Sequence, residues 1–299
     1  MTAEGPMTVE APAFAVLGSP IAHSLSPLLH RAAAAAVGIA PFSYDRIETA
    51  EDDLAPFLDA RADLRGLSLT MPLKQRLISL ARERGWTVDA DAEATGAGNT
   101  LLRPANGPVE VLNTDVSGIV AAVHEGLAAA SAESAPWADE ADILGAGATA
   151  ASAITAAARL GVTRVRLFVR DRTRAGSARA VAQSLGLEAV VADLPDWVPG
   201  ERGLTLSTLP AGALDAARVA LPGRIDALIL DAAYAPEAAA LQSTLRAHGA
   251  LVVDGSRMLL HQAVAQHVRF AVLAGLDPAA AHRAEPVILA AMDAALTDA

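Results

Sequence analysis

One lysine and one aspartate could together move a proton. Lys74 ends the sequence Thr70-Met-Pro-Leu-Lys74, where a predicted strand gives way to a helix that Pro72 starts. The helix dipole opposes a cation in the first turn, so a lysine there indicates a function. Asp115 ends Asn113-Thr-Asp115, after another predicted strand. Facing one substrate, the two groups would interconvert a carbonyl and an alcohol. The plainer alternatives are a surface lysine and a helix N-cap.

Two serine hydroxyls lie in the loop after the first predicted strand. That strand ends at Gly18, and Ser24 and Ser26 follow before an alanine-rich helix. Ser26 is predicted to be the helix N-cap, with Pro27 at the first helical position. Hydroxyls beside a helix N-terminus suit a small anion such as a carboxylate. Alternatively, Ser26 is only a cap and Ser24 only a loop residue.

A glycine loop predicts a dinucleotide site in the second half of the chain. The pattern Gly145-x-Gly147-x-x-Ala150 follows a short strand and precedes a helix, which is the context this motif requires. At the end of the next strand, Asp171 could accept a hydrogen bond from a ribose 2′-hydroxyl, as in NAD sites. The neighbouring arginines could instead hold a 2′-phosphate, and they favour NADP in an otherwise acidic protein. These arginines are Arg170, Arg172 and Arg174.

Four residues late in the chain are further candidates. Gly255 marks a tight junction before a helix that carries Met258 and Gln262, whose amide could bind a substrate hydroxyl. Tyr234 follows a predicted strand. The alternatives are a helix-surface glutamine, a core methionine and a half-buried aromatic ring.

The pattern of elements predicts an α/β protein in two parts. The first part has strands at 13–17, 42–48, 64–70, 98–103 and 108–113 and helices at 27–38, 50–60, 72–85 and 116–130. Its sheet should be mixed, with a hairpin at Asn106-Gly107. After a surface connection at 131–140, strands begin at 141, 165, 188, 204, 227 and 250, and helices at 256–274 and 279–296 close the chain. Strands separated by helices predict a doubly wound, Rossmann-type parallel sheet.

Composition excludes several classes of protein. With 299 residues, 53% of them hydrophobic, the chain can form two domains with real cores. A net charge of −11 argues against a nucleic-acid surface. The absence of cysteine and of paired histidine spacings predicts no metal. Residues 1–12 resemble a flexible tail, and no apolar stretch is long enough to span a membrane, so a cytoplasmic protein is expected.

Seven motifs occur in the order found in shikimate dehydrogenases, which the chain resembles from about residue 14 to residue 275. They are Gly18-Ser-Pro-Ile-Ala-His-Ser-Leu-Ser-Pro27, Thr70-x-Pro-x-Lys74, Gly96-Ala-Gly-Asn-Thr100, Asn113-Thr-Asp115, the Gly145 loop, Asp231-Ala-Ala-Tyr234-x-Pro236 and Gly255-x-x-Met258-Leu-x-x-Gln262. The resemblance implies reversible, NADPH-dependent reduction of 3-dehydroshikimate to shikimate in aromatic amino-acid biosynthesis. It also implies a substrate domain of residues 1–116 completed by 256–299, an NADP-binding domain of 117–255, and a monomer or homodimer.

The resemblance assigns a role to each motif. The catalytic pair would be Lys74 and Asp115. The substrate carboxylate would be held by Ser24 and Ser26, and its hydroxyls by Thr70, Asn99 and Gln262, with Tyr234 close by. The cofactor would be bound by Gly145, Ala146, Gly147, Ala148 and Ala150 at the pyrophosphate, by Asp171, Arg172 and Thr173 at the 2′-phosphate, and by Gly255 and Met258.

Three positions depart from the family pattern. Ser68 and Asp171 stand where these enzymes usually have asparagine, and Ala148 replaces a glycine of the phosphate loop. Asp171 places a negative charge beside the expected 2′-phosphate, and NAD-using relatives that accept quinate carry an acid in this region. An NAD-dependent quinate/shikimate dehydrogenase is therefore the alternative, with NADP favoured because Arg172 and Thr173 are retained. A non-catalytic nucleotide sensor on the same fold is the second alternative.

Overall fold

The computed structural model describes residues 13–130, 137–214 and 219–299, which form two six-stranded sheets. The strands of the first sheet are β1 (Ala13–Gly18), β2 (Ser43–Glu48), β3 (Leu64–Leu69), β4 (Thr87–Val88), β5 (Thr100–Leu102) and β6 (Glu110–Leu112). In the order β2-β1-β3-β5-β6-β4, strand β1 is parallel to β2 and β3, and β5 is antiparallel to β3 and β6. The predicted mixed sheet and hairpin are confirmed, and the hairpin loop contains Gly107 at a φ of 117°.

The second sheet is parallel throughout, as predicted for a doubly wound fold. Its strands are β7 (Glu140–Leu144), β8 (Arg164–Val169), β9 (Glu188–Asp193), β10 (Leu204–Ser207), β11 (Leu228–Asp231) and β12 (Leu251–Asp254). They pair in the order β12-β11-β10-β7-β8-β9. The order reverses direction at β7, and β7 leads into the glycine loop. Open parallel sheets bind ligands at such a reversal.

Helices cover both sheets. They are α1 (Ser26–Ala36), α2 (Leu54–Ala60), α3 (Leu73–Arg84), α4 (Ala90–Thr95), α5 (Asp115–Ala129), α6 (Ala148–Arg159), α7 (Gly176–Ser184), α8 (Ala239–Ala247), α9 (Gly255–Leu273), α10 (Pro278–Arg283) and α11 (Glu285–Thr297). Small side chains let α6 pack closely on the second sheet, since Ala150, Ala153 and Ala157 are fully buried.

Some predicted element boundaries were wrong. The helix expected at 279–296 is two helices, α10 and α11, because Pro286 lacks the N–H that would continue the first one. The helix expected at 50–60 begins only at Leu54. The short β4 and α4 were not predicted, since two strand residues and six helical ones give little periodicity. The expected tail at 1–12 and the 131–136 part of the surface connection lie outside the described residues.

Helix α9 connects the two sheets. It starts directly after β12 of the second sheet and packs against β3 and β5 of the first, as well as against α1, α5 and α11. It packs tightly on α5 at Gly118, where a Cβ atom would lie 2.8 Å from Cβ of Gln262. A larger residue at 118 would separate the helices, so this glycine brings Gln262 towards the start of α5.

Candidate active site

The predicted lysine and aspartate meet. Lys74 Nζ donates a hydrogen bond to Asp115 Oδ2 at 2.6 Å, and the two side chains are only 13% and 4% exposed. Lys74 lies in the first turn of α3, after β3, and Asp115 is the first residue of α5, after β6. Strands β3 and β6 are both neighbours of β5, so the sheet brings together residues 41 apart in the chain.

The start of α5 is held by an asparagine side chain. Asn113 Oδ1 accepts hydrogen bonds from the backbone N–H groups of Asp115, at 2.9 Å, and Val116, at 3.3 Å. The N-cap position is occupied by Thr114, so the alternative reading of Asp115 as an N-cap is wrong. Because the helix N–H groups bind Asn113, the Asp115 carboxylate is available to Lys74.

Asn99 holds the second oxygen of this carboxylate. Its Nδ2 donates to Asp115 Oδ1 at 2.9 Å and to Gln262 Oε1 at 3.3 Å. Its Oδ1 accepts from the Thr114 backbone N–H at 2.9 Å. The amide is therefore oriented with its donor end towards Asp115, and both carboxylate oxygens of Asp115 have hydrogen-bond donors.

The two serines lie at the start of α1. Ser24 Oγ donates to Ser26 Oγ at 3.2 Å and accepts from the Ser26 N–H at 3.3 Å. The predicted N-cap role of Ser26 is wrong, because α1 starts at Ser26 itself and the N-cap position is Leu25. Ser24 binds one of the first N–H groups of the helix instead, which leaves both hydroxyls close together.

Most of the predicted residues line one cavity of about 820 Å³. Its lining includes Ser24, Ser26, Thr70, Lys74, Asn99, Asp115, Tyr234, Gly255, Met258 and Gln262. The sequence reasoning missed Thr149, Thr208 and Gln266, which also line it. Two of these could have been predicted from the sequence, because Thr208 follows a parallel strand and Gln266 lies one helical turn after Gln262.

Gly255 allows two segments to pack closely at the mouth of this cavity. A Cβ atom at Gly255 would lie 2.2 Å from the carbonyl oxygen of Ala232, so the start of α9 lies directly against the segment after β11. This segment carries Tyr234, whose side chain remains 47% exposed. Met258 is nearly buried one turn further along α9.

The glycine loop lies just outside the cavity lining, at the head of the second sheet. Gly145 has a φ of 113°, and a Cβ atom there would lie 2.6 Å from Thr208 Oγ1. A Cβ atom at Gly147 would meet none of the described residues within 4 Å, so the loop is open on that side. Ala146 continues the loop, α6 starts at Ala148, and Ala150 is fully buried. The backbone can therefore approach a pyrophosphate group, and these residues fit a dinucleotide.

The residues predicted to read the 2′-phosphate are exposed and already paired with carboxylates. Arg172 makes two hydrogen bonds of 2.8 Å to Asp193, with side chains 56% and 51% exposed. Asp171 Oδ1 accepts from the hydroxyl of Thr173 at 2.6 Å and from its N–H at 2.9 Å. The hydrogen bonds from Thr173 lower the pKa of Asp171, so a carboxylate charge lies beside Arg172.

Composition offers a signal for Lys74 that the motifs do not. Lys74 is the only lysine in the sequence, against 22 arginines. A guanidinium does not release its proton in proteins, whereas an ammonium can. A chain that uses arginine at every other cationic position has lysine where a proton would be transferred.

Two absences concern only the residues that the structure describes. Among these residues, no helix is both long and apolar enough to cross a membrane. In the same ranges, no group of three or more histidine, aspartate or glutamate side chains could hold a metal ion.

Comparison with known proteins identifies the family. Residues 16–101 match the family described as the shikimate dehydrogenase substrate binding domain. A shikimate dehydrogenase (NADP(+)) of Methylobacterium radiotolerans is 36% identical over 263 residues, which cover 86% of this chain and 90% of that protein. These matches extend well beyond the motifs quoted above.

Solved structures of shikimate dehydrogenases have the same fold as this chain. The crystal structure of Mycobacterium tuberculosis shikimate dehydrogenase superposes with a TM-score of 0.76 at 30% identity, covering 96% of this chain and all of that one (100%). The shikimate 5-dehydrogenase of Thermus thermophilus, solved in complex with NADP(H) and shikimate, gives 0.68 at 29% identity over 95% and 99% of the two chains. The resemblance inferred from the motifs is confirmed. Since the likeness extends over most of the sequence and over the whole arrangement of sheets, the chain belongs to the shikimate dehydrogenase family.

Proposed function

We propose that this chain is an NADP-dependent shikimate dehydrogenase, which reversibly reduces 3-dehydroshikimate to shikimate. The observation that carries the proposal is the Lys74–Asp115 contact inside a cavity that also contains the paired serine hydroxyls. A ketone reduction needs a group that can supply a proton to the carbonyl oxygen, and this pair can do so. The substrate and the cofactor are inferred from the family and from the names of its members that match this chain.

The roles of the cavity residues follow from their chemistry. Ser24 and Ser26 offer two hydroxyls, together with the first N–H groups of α1, to the substrate carboxylate. Thr70 and the amides of Asn99 and Gln262 offer donors and acceptors for its ring hydroxyls. Tyr234 would cover the bound molecule at the mouth of the cavity.

The lysine would act on the oxygen that changes. During reduction, negative charge develops on the carbonyl oxygen, and Lys74 Nζ stabilises this charge and donates a proton to it. Asp115 Oδ2 accepts a hydrogen bond from Lys74 Nζ at 2.6 Å and so holds the lysine at the cavity that both residues line. In the oxidative direction, Lys74 accepts the hydroxyl proton. Because the two side chains are paired and largely buried, they need little reorientation when the substrate binds.

The cofactor site has three parts. When bound, the nicotinamide supplies hydride to the carbonyl carbon. We propose that the pyrophosphate is held by Gly145, Ala146, Gly147, Ala148 and Ala150, the 2′-phosphate by Arg172 and Thr173 with Asp171 alongside, and the nicotinamide end by Gly255 and Met258. The open loop and the N-terminus of the twelve-residue α6 support the first part.

We propose two domains that close around the substrate. The division into 1–116 with 256–299, and 117–255, is supported by the two separate sheets and by the contacts of α9 with the first one. A cytoplasmic location and a monomeric or homodimeric state complete the proposal. Size-exclusion chromatography with light scattering would test the oligomeric state.

One assay tests the activity. The purified chain is mixed with shikimate or quinate and with NADP⁺ or NAD⁺, and the nicotinamide absorbance is followed. We expect rapid turnover with shikimate and NADP⁺. Turnover mainly with quinate and NAD⁺ would instead favour the alternative substrate and cofactor. No turnover by a folded protein that binds nucleotide would favour a sensor and contradict the proposal.

A further inference from the structure

A buried chain of polar side chains starts at Tyr44 and reaches the cavity wall at Ser68 and Gln266, two residues to which no substrate contact has been assigned. Tyr44 Oη donates to Ser68 Oγ at 2.6 Å, and Ser68 Oγ donates to Gln266 Oε1 at 2.8 Å. These three residues are at most 5% exposed. In such surroundings every donor needs an acceptor, so the direction of each hydrogen bond in the chain is fixed by its neighbours.

Gln266 connects this hydrogen-bonded chain to Asn99 and Thr100. Its Nε2 donates to the Asn99 backbone oxygen at 3.1 Å and to Thr100 Oγ1 at 2.9 Å. The Thr100 hydroxyl therefore accepts from Gln266, and its own hydrogen is donated to Asn99 Oδ1 at 2.8 Å. Asn99 Oδ1 is thereby held towards Thr100, and Nδ2 is directed towards Asp115 Oδ1.

We propose that Gln266 is a positioning residue for the catalytic pair and acts through Thr100 and Asn99. With both N–H groups donated and its oxygen accepting from Ser68, the Gln266 amide is fully engaged within the protein. Its role is to fix which end of the Asn99 amide faces Asp115, and hence how the carboxylate is presented to Lys74. The inference rests on the proposed function, because it concerns the same reaction.

Asn99 would otherwise have two orientations. In the observed one, a donor meets the carboxylate of Asp115. In the flipped one, Oδ1 would face a carboxylate oxygen, and the Thr100 hydroxyl would meet an N–H group. The Thr114 backbone N–H also opposes the flip, so loss of Gln266 loosens the arrangement rather than inverting it. We therefore expect a reduced rate with nearly normal binding of both substrates.

The test compares Thr100→Val with Thr100→Ser, supported by Gln266→Leu. Thr100→Val keeps the shape but removes the hydroxyl, and Thr100→Ser restores it. Loss of a hydrogen bond that orients a charged group costs roughly tenfold or more, so we expect kcat to fall by about tenfold in Thr100→Val and Gln266→Leu. The KM values for shikimate and NADP⁺ should change less than threefold, and Thr100→Ser should recover kcat to within about threefold of wild type.

Thr155→Val is the matched control. Thr155 is also buried, and its hydroxyl donates to a backbone oxygen of α6 at 3.0 Å. This variant loses the same group and should lose similar thermal stability with no change in kcat. If Gln266→Leu does not fold, the two threonine variants carry the test.

The outcomes separate the two proposals. A wild-type chain that does not turn over shikimate would contradict the proposed function. A wild type that turns over, with Thr100→Val folded and within twofold of its kcat, would overturn the inference alone. Failure of Thr100→Ser to recover the rate would also overturn it, because the hydroxyl would then not be the cause.

Discussion

Two ion pairs of similar length lie in very different surroundings. Lys74 and Asp115 are joined at 2.6 Å with side chains 13% and 4% exposed, whereas Arg172 and Asp193 are joined at 2.8 Å with more than half of each side chain exposed. The first pair is also held by Asn99, and the second lies at the surface of the second sheet. Burial fixes the first pair in one arrangement, while solvent lets the second exchange partners.

The difference matches two kinds of task. A group that stabilises charge in a transition state has to be in place beforehand, because reorientation during the reaction costs energy. A group that binds a phosphate has to release its resting partner when the ligand arrives, and an exposed arginine can do this at little cost. The cavity should therefore respond to substitutions through kcat and the nucleotide site through KM.

The largest effect is expected from breaking the buried pair. Lys74→Ala should lower kcat by about 10³-fold, because the proposed proton donor and the charge proposed to stabilise the oxygen are both lost. Lys74→Arg should be nearly as slow, since a guanidinium keeps the charge but does not release a proton. Steady-state kinetics with shikimate and NADP⁺ would measure both.

Arg76→Ala is the control for this prediction. Arg76 lies on the same helix and pairs with Glu83 at the surface. Its removal takes away one cation near Lys74 and should leave kcat unchanged. A Lys74→Ala enzyme that retains kcat within a few-fold would contradict the assigned role.

Much of this site could be predicted from sequence. The spacing of the motifs predicted Lys74, Asp115 and the glycine loop, because each lies where a predicted strand gives way to a helix. The 2.6 Å contact could not be predicted, since it depends on how strands β3, β5 and β6 pair. Gln266 and Ser68 are 198 residues apart, and only the fold brings them into contact. Helix boundaries depended on local competition: Ser24 binds the N–H of Ser26, and α1 begins at Ser26 rather than after it.

Burial behind the cavity should also make stability depend on pH. His30 and His267 are fully buried, with their Nδ1 atoms 3.1 Å apart, and Tyr44 stacks on His30. Desolvation lowers the pKa of His267 to about 4, and desolvation together with the neighbouring His267 lowers that of His30. Among the described residues, neither Nε2 atom has a hydrogen-bond partner. Both rings are therefore expected to be neutral at pH 7.

The sign of the effect follows from proton binding. Below pH 6.5 the unfolded chain protonates both histidines and the folded chain resists, so the free energy of unfolding falls as the pH falls. For His267 this amounts to about 3 kcal/mol between pH 6.5 and pH 4. Urea denaturation across this range should give a shallower dependence for His267→Asn than for wild type. His282→Asn, at an exposed position, should leave the dependence unchanged; equal slopes for all three proteins would contradict the prediction.

At the nucleotide site the first test is Arg172→Ala. Because Arg172 is proposed to hold the 2′-phosphate, its loss should raise the KM for NADP⁺ by about tenfold and leave the KM for NAD⁺ and the kcat with either cofactor nearly unchanged. Arg179→Ala, which removes an exposed cation from the following helix α7, is the control for net charge. Equal changes with both cofactors would show that Arg172 does not read the phosphate.

The smallest effect is expected when the partner of this arginine is neutralised. In Asp193→Asn, Arg172 no longer has to break its ion pair with Asp193 before it binds the phosphate. The variant also removes one negative charge near the proposed phosphate position. We expect the KM for NADP⁺ to fall by about threefold, with NAD⁺ unaffected, because exposed pairs contribute little. The difference should shrink at high salt, where exposed charges are screened.

Glu188→Gln separates the local contact from net charge. Glu188 is the exposed first residue of the strand that ends at Asp193, so this variant loses the same charge about 16 Å away. At ordinary ionic strength a charge at that distance is screened, so the KM values of Glu188→Gln should match those of wild type. A rise in the KM for NADP⁺ in Asp193→Asn would mean that the carboxylate holds Arg172 in place for the phosphate. The exposed pair would then be preorganised like the buried one, and solvent exposure would not distinguish the two sites.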